Sequence, residues 1–228
     1  MQAKDVMTSP VITVTEDVSI PDIAELLLAR RISGVPVVGG DGRVVGIISE
    51  GDLLRRVETG TERHRARWLE MLVDRNERAA DFLKSHGKRA QDVMTRQIVS
   101  AEPDTDLADI ADLMERNRIK RVPVLVDGRP VGIVSRANLL HGLVAFKRTS
   151  RGGAVEGDAG IRTALMDALA GQSWIDLDRL NIVVTDGTVH LWGMVDSEEQ
   201  RRALHASATG IPGVKRVEEH LHRNRFVG

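Results

Sequence analysis

The chain has 228 residues, 42% of them hydrophobic and 29% charged, an ordinary composition that can bury one or two cores. A formal net charge of -1 and an aromatic content of 3%, with no Tyr, argue against a nucleic-acid partner and a base-stacking surface. The absence of Cys excludes disulfides, thiolate metal sites and a cysteine nucleophile, and it fits a reducing compartment.

The N-terminus opens Met1-Gln2-Ala3-Lys4-Asp5-Val6-Met7 without an apolar h-region, so no secretory signal is expected. No apolar run approaches the ~20 residues that cross a bilayer, and the expected location is cytoplasmic. A short strand is predicted around Ile12–Val14. A helix follows, in which Ile20, Ile23, Ala24, Leu27 and Leu28 recur at helical spacing behind an N-cap signature, Ser19 with Asp22. Then come the β-branched run Val35-Pro36-Val37-Val38, a Gly-Asp-Gly turn, a second run over Val44–Ile48, and a helix opening at Ser49. The order is β-α-β-β-α.

This pattern is written twice. Asp5–Leu54 aligns with Asp92–Leu140, one residue being deleted opposite Gly39-Gly40, and 23 of 49 pairs are identical. The second copy predicts a strand at Ile98–Ser100 and a helix capped by Asp106 with Asp109. A duplicated supersecondary unit of this kind places two half-sites around a pseudo-two-fold axis. Between the copies, Glu58–Gly87 has a helical apolar pattern (Trp68, Leu69, Leu72, Val73, Phe82, Leu83) with His86-Gly87 as its stop. It reads as a helix packed along its own module or as one that reaches a second subunit. Residues 147–157 read as a flexible linker. The remainder gives a helix from about Asp158, a hairpin turning at Asp186-Gly187, a helix from Asp196/Ser197 and a strand over Val214–Leu221, in the order α-β-β-α-β. The boundaries are 1–57 for the first copy, 58–90 for the inserted helix, 91–146 for the second copy, 147–157 for the linker and 158–228 for the C-terminal domain.

The repeat resembles the CBS-domain family, tandem copies of which form a Bateman module. Three pieces carry the resemblance, each occurring twice in the same order: Asp-Val-Met-Thr (5–8, 92–95), x-x-Val-Pro-Val (33–37, 120–124) and Gly-h-h-Ser-x-x-(Asp/Asn) (46–52, 132–138). The C-terminal stretch, with Ile182-Val183-Val184, the run 186–193 and the run 211–217, is similar to a BON domain. The fold class is therefore α/β (α+β): tandem β-α-β-β-α repeats followed by a small α-β-β-α-β domain.

Two readings of Ser49-Glu50-Gly51-Asp52 and Ser135-Arg136-Ala137-Asn138 stand side by side. Ser-x-x-Asp is a capping box that satisfies free helix N–H groups without any ligand. The same carboxylate could accept both hydrogen bonds of a cis-diol. The resemblance implies the second, with Asp52 as ribose acceptor and Ser49 beside it, whereas Asn138, next to Ser135, should grip a diol more weakly. It also implies that Arg121, two before the Pro, contacts phosphate together with Lys120; the alternative is a solvated strand edge. Thr13, Val35 and Pro36, with Ser100, Val122 and Pro123, would form slots for a base. Arg31 and Arg118 read as helix C-terminal charges.

Nothing in the sequence composes an active site. His220-x-His222 places two imidazoles on one side of a strand but brings no further ligand, and it reads as surface, with no metal expected. No Walker motif and no nucleophile elbow occur. The resulting expectation is a non-catalytic, ligand-sensing regulator that requires no cofactor. It would bind AMP, ADP, ATP or S-adenosylmethionine, dimerise through its CBS modules without help from the BON domain, and act on a protein target. The alternative is an adaptor whose CBS pair is structural and whose BON domain binds a protein or phospholipid through Trp174 and Trp192. With 8 Lys/Arg against 10 Asp/Glu in residues 158–228, an anionic membrane surface is disfavoured, and core packing is the expected job of both Trp.

Overall fold

Apolar spacing and capping place the elements of the computed structural model, which describes residues 1–54, 82–148 and 156–223. The chain divides into two compact units, one of residues 12–98 with 127–129, the other of residues 1–11, 99–126 and 130–228. Residues 55–81, which take in most of the predicted inserted helix, and residues 149–155 of the predicted linker lie outside the described residues, as does the choice between the two readings of that helix.

In the first unit, β1 (Val14–Thr15) pairs in parallel with β2 (Gly34–Val38), which pairs antiparallel with β3 (Val44–Ser49). Helix α2 (Ile20–Arg30) starts at Ser19, whose Oγ accepts from the Asp22 N–H at 3.3 Å. It ends at Arg31, which takes a left-handed φ of 52°. Ile20, Ile23 and Leu27 face Val35, Val37 and Ile48 in one core. The four-residue α3 (Glu50–Leu53) follows β3, and residues 82–86 are helical, closing where the Gly87 N–H donates to the Leu83 carbonyl at 2.7 Å.

This core is completed from the second copy. Helix α4 (Ala90–Val93) carries the second Asp-Val-Met-Thr, and Ala90, Val93 and Met94 are buried among the side chains of the first copy. Thr95 bridges Ile47, and Met94 lies over Gly46, where a Cβ would overlap its sulfur. The other unit mirrors this. Helix α1 (Ala3–Val6) of the first copy packs against α5 (Leu107–Arg116), β4 (Arg121–Val126) and β5 (Arg129–Ser135) of the second. Thr8 bridges Ile133, and Met7 lies over Gly132. The openings of the two copies are thus exchanged, each core being completed by the Asp-Val-Met-Thr segment of the other copy. The expected strand at Ile12–Val14 is shifted to Val14–Thr15, and its counterpart shrinks to one bridge, Ala101 with Val124. Asp106 is the N-cap of α5 by backbone conformation, without the side-chain hydrogen bond that Ser19 makes.

The C-terminal domain follows α6 (Arg136–Arg148). It comprises α7 (Glu156–Leu169), β6 (Leu180–Thr185), β7 (Thr188–Val195), α8 (Glu198–Thr209) and β8 (Arg216–Arg223), with sheet order β6-β7-β8. Asp186 (φ 48°) and Gly187 (φ 71°) make the type I′ turn that Asp-Gly foretells. Both of their N–H groups donate to the buried Asp158 carboxylate at 2.8 Å. One sheet face, with Ile182, Val184, Val189 and Leu191, meets Leu165 and Leu204 of the two helices. The other, with Val183 and Trp192, joins the core of the second copy. Arg162 fastens this junction, donating to the Ile182 carbonyl at 2.9 Å and the Met7 carbonyl at 2.8 Å. Asn181 adds a bond to the Val6 carbonyl at 2.6 Å. Among the described residues no helix is long and apolar enough to cross a membrane.

Candidate functional site

Each half-site is built where a β-hairpin returns into a helix. In the first unit Gly34 lies opposite Ser49, and the Glu50 N–H donates to the Ser33 carbonyl at 3.1 Å, so the start of β2 and the start of α3 are side by side. The Ser49 N–H and Oγ both donate to one oxygen of Asp52, at 2.9 and 2.8 Å. The other Asp52 oxygen accepts from Lys84 Nζ at 2.9 Å and Thr95 Oγ1 at 3.5 Å. The capping box is therefore present, and it leaves the second carboxylate oxygen for other partners.

The second copy has the same frame and different chemistry. The Arg136 N–H donates to the Lys120 carbonyl at 3.2 Å, and the Ser135 N–H and Oγ donate to Asn138 Oδ1 at 2.7 and 2.6 Å. Where Asp52 turns an oxygen to an ammonium, Asn138 turns its NH₂ to the Val6 carbonyl at 2.9 Å and to Thr8 Oγ1 at 3.2 Å. With 3% of its surface exposed, Asn138 makes internal hydrogen bonds with both ends of its amide. The amide is required there because the group it meets is a carbonyl acceptor, which a carboxylate would repel. The departure from Asp thus serves the exchanged α1 segment.

The remaining expected residues separate by depth. The Val14–Val37 pair sets Thr13 alongside Pro36, and the bond from the Ala101 N–H to the Pro123 carbonyl at 3.0 Å sets the exposed Ser100 alongside Pro123. Val35 and Val122 are fully buried in their respective cores, so they offer backbone rather than side chain to a slot. Arg121 is buried at the start of β4, while Lys120 is exposed. Arg31 and Arg118 both adopt the left-handed conformation at a helix end (φ 52° and 55°), which gives them a shared backbone role. Lys84 was not among the expected residues. It lies 32 positions from Asp52 in a segment with no counterpart in the other copy, so neither the repeat nor the motif spacing pointed to it.

In the C-terminal domain Trp192 is 9% exposed and stacks on His141 of α6 with ring centroids 4.6 Å apart, while Trp174 is partly buried against the other core. The Trp192 indole lacks the exposure of an interfacial anchor. Burial holds the His141 imidazolium below its ordinary range, opposed by the bond to Asn181 and aided by the nearby His220. Partly buried Arg162 is likewise lowered by desolvation, with Asp5 opposing. The strand histidines group differently from the sequence expectation: His220 meets His190 and Glu218 of the neighbouring residues rather than forming a pair with His222.

The exchanged Asp-Val-Met-Thr openings and the Ser-x-x-(Asp/Asn) frames define a tandem pair of repeats followed by a small α+β domain. Residues 3–59 and 90–145 match the CBS domain, and residues 157–224 match the BON domain. The chain belongs to the CBS-domain family and carries a C-terminal BON domain. The uncharacterized protein MJ1426 of Methanocaldococcus jannaschii is 36% identical over 155 residues, covering 63% of this chain and 92% of that protein. The chloroplastic CBS domain-containing protein CBSX2 of Arabidopsis thaliana is 30% identical over 136 residues, and the match spans 57% of each chain. A crystal structure of CBSX2 in complex with AMP superposes with a TM-score of 0.55 at 27% identity, covering 66% of this chain and 99% of that one.

Proposed function

We propose that the protein is a non-catalytic sensor of an adenosine-containing nucleotide (AMP, ADP, ATP or S-adenosylmethionine), with the CBS pair as receptor and the BON domain as output. The observation that carries this reading is the Asp52 carboxylate, held in place by Ser49 through one oxygen while the other faces only side chains that can move. A ribose diol can replace Lys84 there, because the ammonium, on a side chain 43% exposed, can return to water. The AMP complex of CBSX2 supports the same ligand class for a related pair. Arg121 and Lys120 supply positive charge for a phosphate in the second copy, where the first has Ser33-Gly34. Binding would favour one arrangement of the receptor and so shift a population.

The packing of the BON domain on the second repeat supports its role as output, since Arg162 and Asn181 hold the α1 segment that also anchors Asn138. Self-association through the CBS portion, at a cytoplasmic location, completes the proposal. Its support is a stripe on α6 in which Leu140, Leu143 and Val144 are exposed at helical spacing, with Phe146 nearby. A thermal-shift screen of the full chain with AMP, ADP, ATP, adenosine and S-adenosylmethionine tests the ligand class. A concentration-dependent rise in melting temperature with at least one of them is expected, and no shift with any of them contradicts the reading.

A further inference from the structure

We propose that His190, Glu218 and His220 form a binding site for a divalent transition-metal ion of the zinc class. The three residues come together through strand geometry. The parallel register of β7 and β8 sets His190 directly opposite Glu218, and the two-residue period of β8 puts His220 on the same face one step along. One ligand atom from each of the three lies within 4.8 Å of the others. Two imidazole nitrogens and one carboxylate oxygen are zinc ligands, and three protein ligands leave a fourth tetrahedral position for water.

The distances favour an ion over a direct bond. His190 Nδ1 stands 3.6 Å from Glu218 Oε2, beyond hydrogen-bond reach. Two ligand atoms on one tetrahedral zinc, each bonded at about 2.0–2.2 Å, are separated by about 3.3–3.6 Å. The His190–Glu218 edge therefore already has the span of a coordination edge, and His220 brings its ligand atom within 4.8 Å of both. Glu218 Oε1 lies 3.5 Å from the exposed Arg216 Nε, and Oε2 is the oxygen nearer His190.

Burial and rigidity point the same way. His190 is fully buried and Glu218 is nearly so, and charged groups taken out of water are paired or coordinate metals. The rings are held in near-parallel planes around Trp192, His190 at 14° and His220 at 12°, which pre-orients both imidazoles. β8 is an edge strand, so an ion and its water reach Glu218 and His220 from the open side of the sheet.

The test uses the full chain, tag-free and chelator-treated. Co²⁺ titration followed by visible absorption should show saturable binding of one equivalent with tetrahedral bands, displaced by Zn²⁺, and Zn²⁺ should raise the melting temperature. Glu218→Gln and His220→Gln should each weaken Co²⁺ binding by at least about tenfold, since even outer-shell changes cost 10–100-fold. His222→Gln, on the same strand, should bind as the wild type does. Absence of saturable Co²⁺ binding in the wild type overturns the proposal, as does undiminished binding in both Glu218→Gln and His220→Gln with their circular dichroism unchanged.

Discussion

Asp52 and Lys84, 32 residues apart, are joined by an ion pair of 2.9 Å in which the lysine side chain is 43% exposed and the aspartate 12%. The ammonium occupies the one carboxylate oxygen that Ser49 leaves open. A diol seeking Asp52 must displace it.

Lys84→Met is therefore expected to strengthen the binding of uncharged adenosine, by up to about fivefold, because the diol then has no ammonium to displace. Calorimetry with adenosine reads this directly. Weaker binding in Lys84→Met would instead make the lysine a ligand contact.

Asn138→Asp, the substitution that restores the motif, is expected to destabilise the protein by about 2–4 kcal/mol. It would place a carboxylate in a buried position against the Val6 carbonyl and remove the NH₂ bonds at 2.9 and 3.2 Å. Urea unfolding at neutral pH checks it, and an unchanged midpoint would show that the amide is not needed there.

Much of this architecture was legible in the sequence. Ser19, the Asp186-Gly187 turn and Ser197 each mark an element boundary through local chemistry, and the structure uses all three. The exchange of the two Asp-Val-Met-Thr openings was not legible, because near-identical segments fit either core equally well by pattern. The same limit applies to Asn138, whose partner Val6 is 132 positions away, and to Lys84. His190 and Glu218 escaped notice because their meeting depends on the register of two parallel strands, which spacing along the chain does not encode.

The turn at Asp186-Gly187 depends on a distant carboxylate. Asp158→Ala would leave two hairpin N–H groups without their charged acceptor, and a loss of about 2–4 kcal/mol is expected in chemical unfolding. Asp158→Asn, which keeps one carbonyl acceptor, should cost less. Equal losses in the two variants would assign the effect to packing.

Self-association is best tested in the intact chain, because removing the C-terminal domain would take Val183 and Trp192 out of the shared core and uncover the second-copy residues packed with them. Leu143 on α6 is 62% exposed, so Leu143→Asp should fold normally. It is expected to shift the protein from dimer to monomer in light scattering. A wild-type monomer, or a dimer untouched by this change, would move the interface elsewhere; Leu72→Asp probes the inserted segment in the same way.

The central claim is that Asp52 holds the ribose of an adenine nucleotide, and isothermal titration of AMP into wild type, Asp52→Ala and Arg121→Ala tests it most directly. The account predicts binding by the wild type, a loss of about 1.5–3 kcal/mol in Asp52→Ala, the worth of hydrogen bonds to a charged acceptor, and a tighter grip on AMP than on adenosine that disappears in Arg121→Ala. Wild-type affinity for AMP in a folded Asp52→Ala protein would contradict it and leave Ser49 and Asp52 as a helix cap alone.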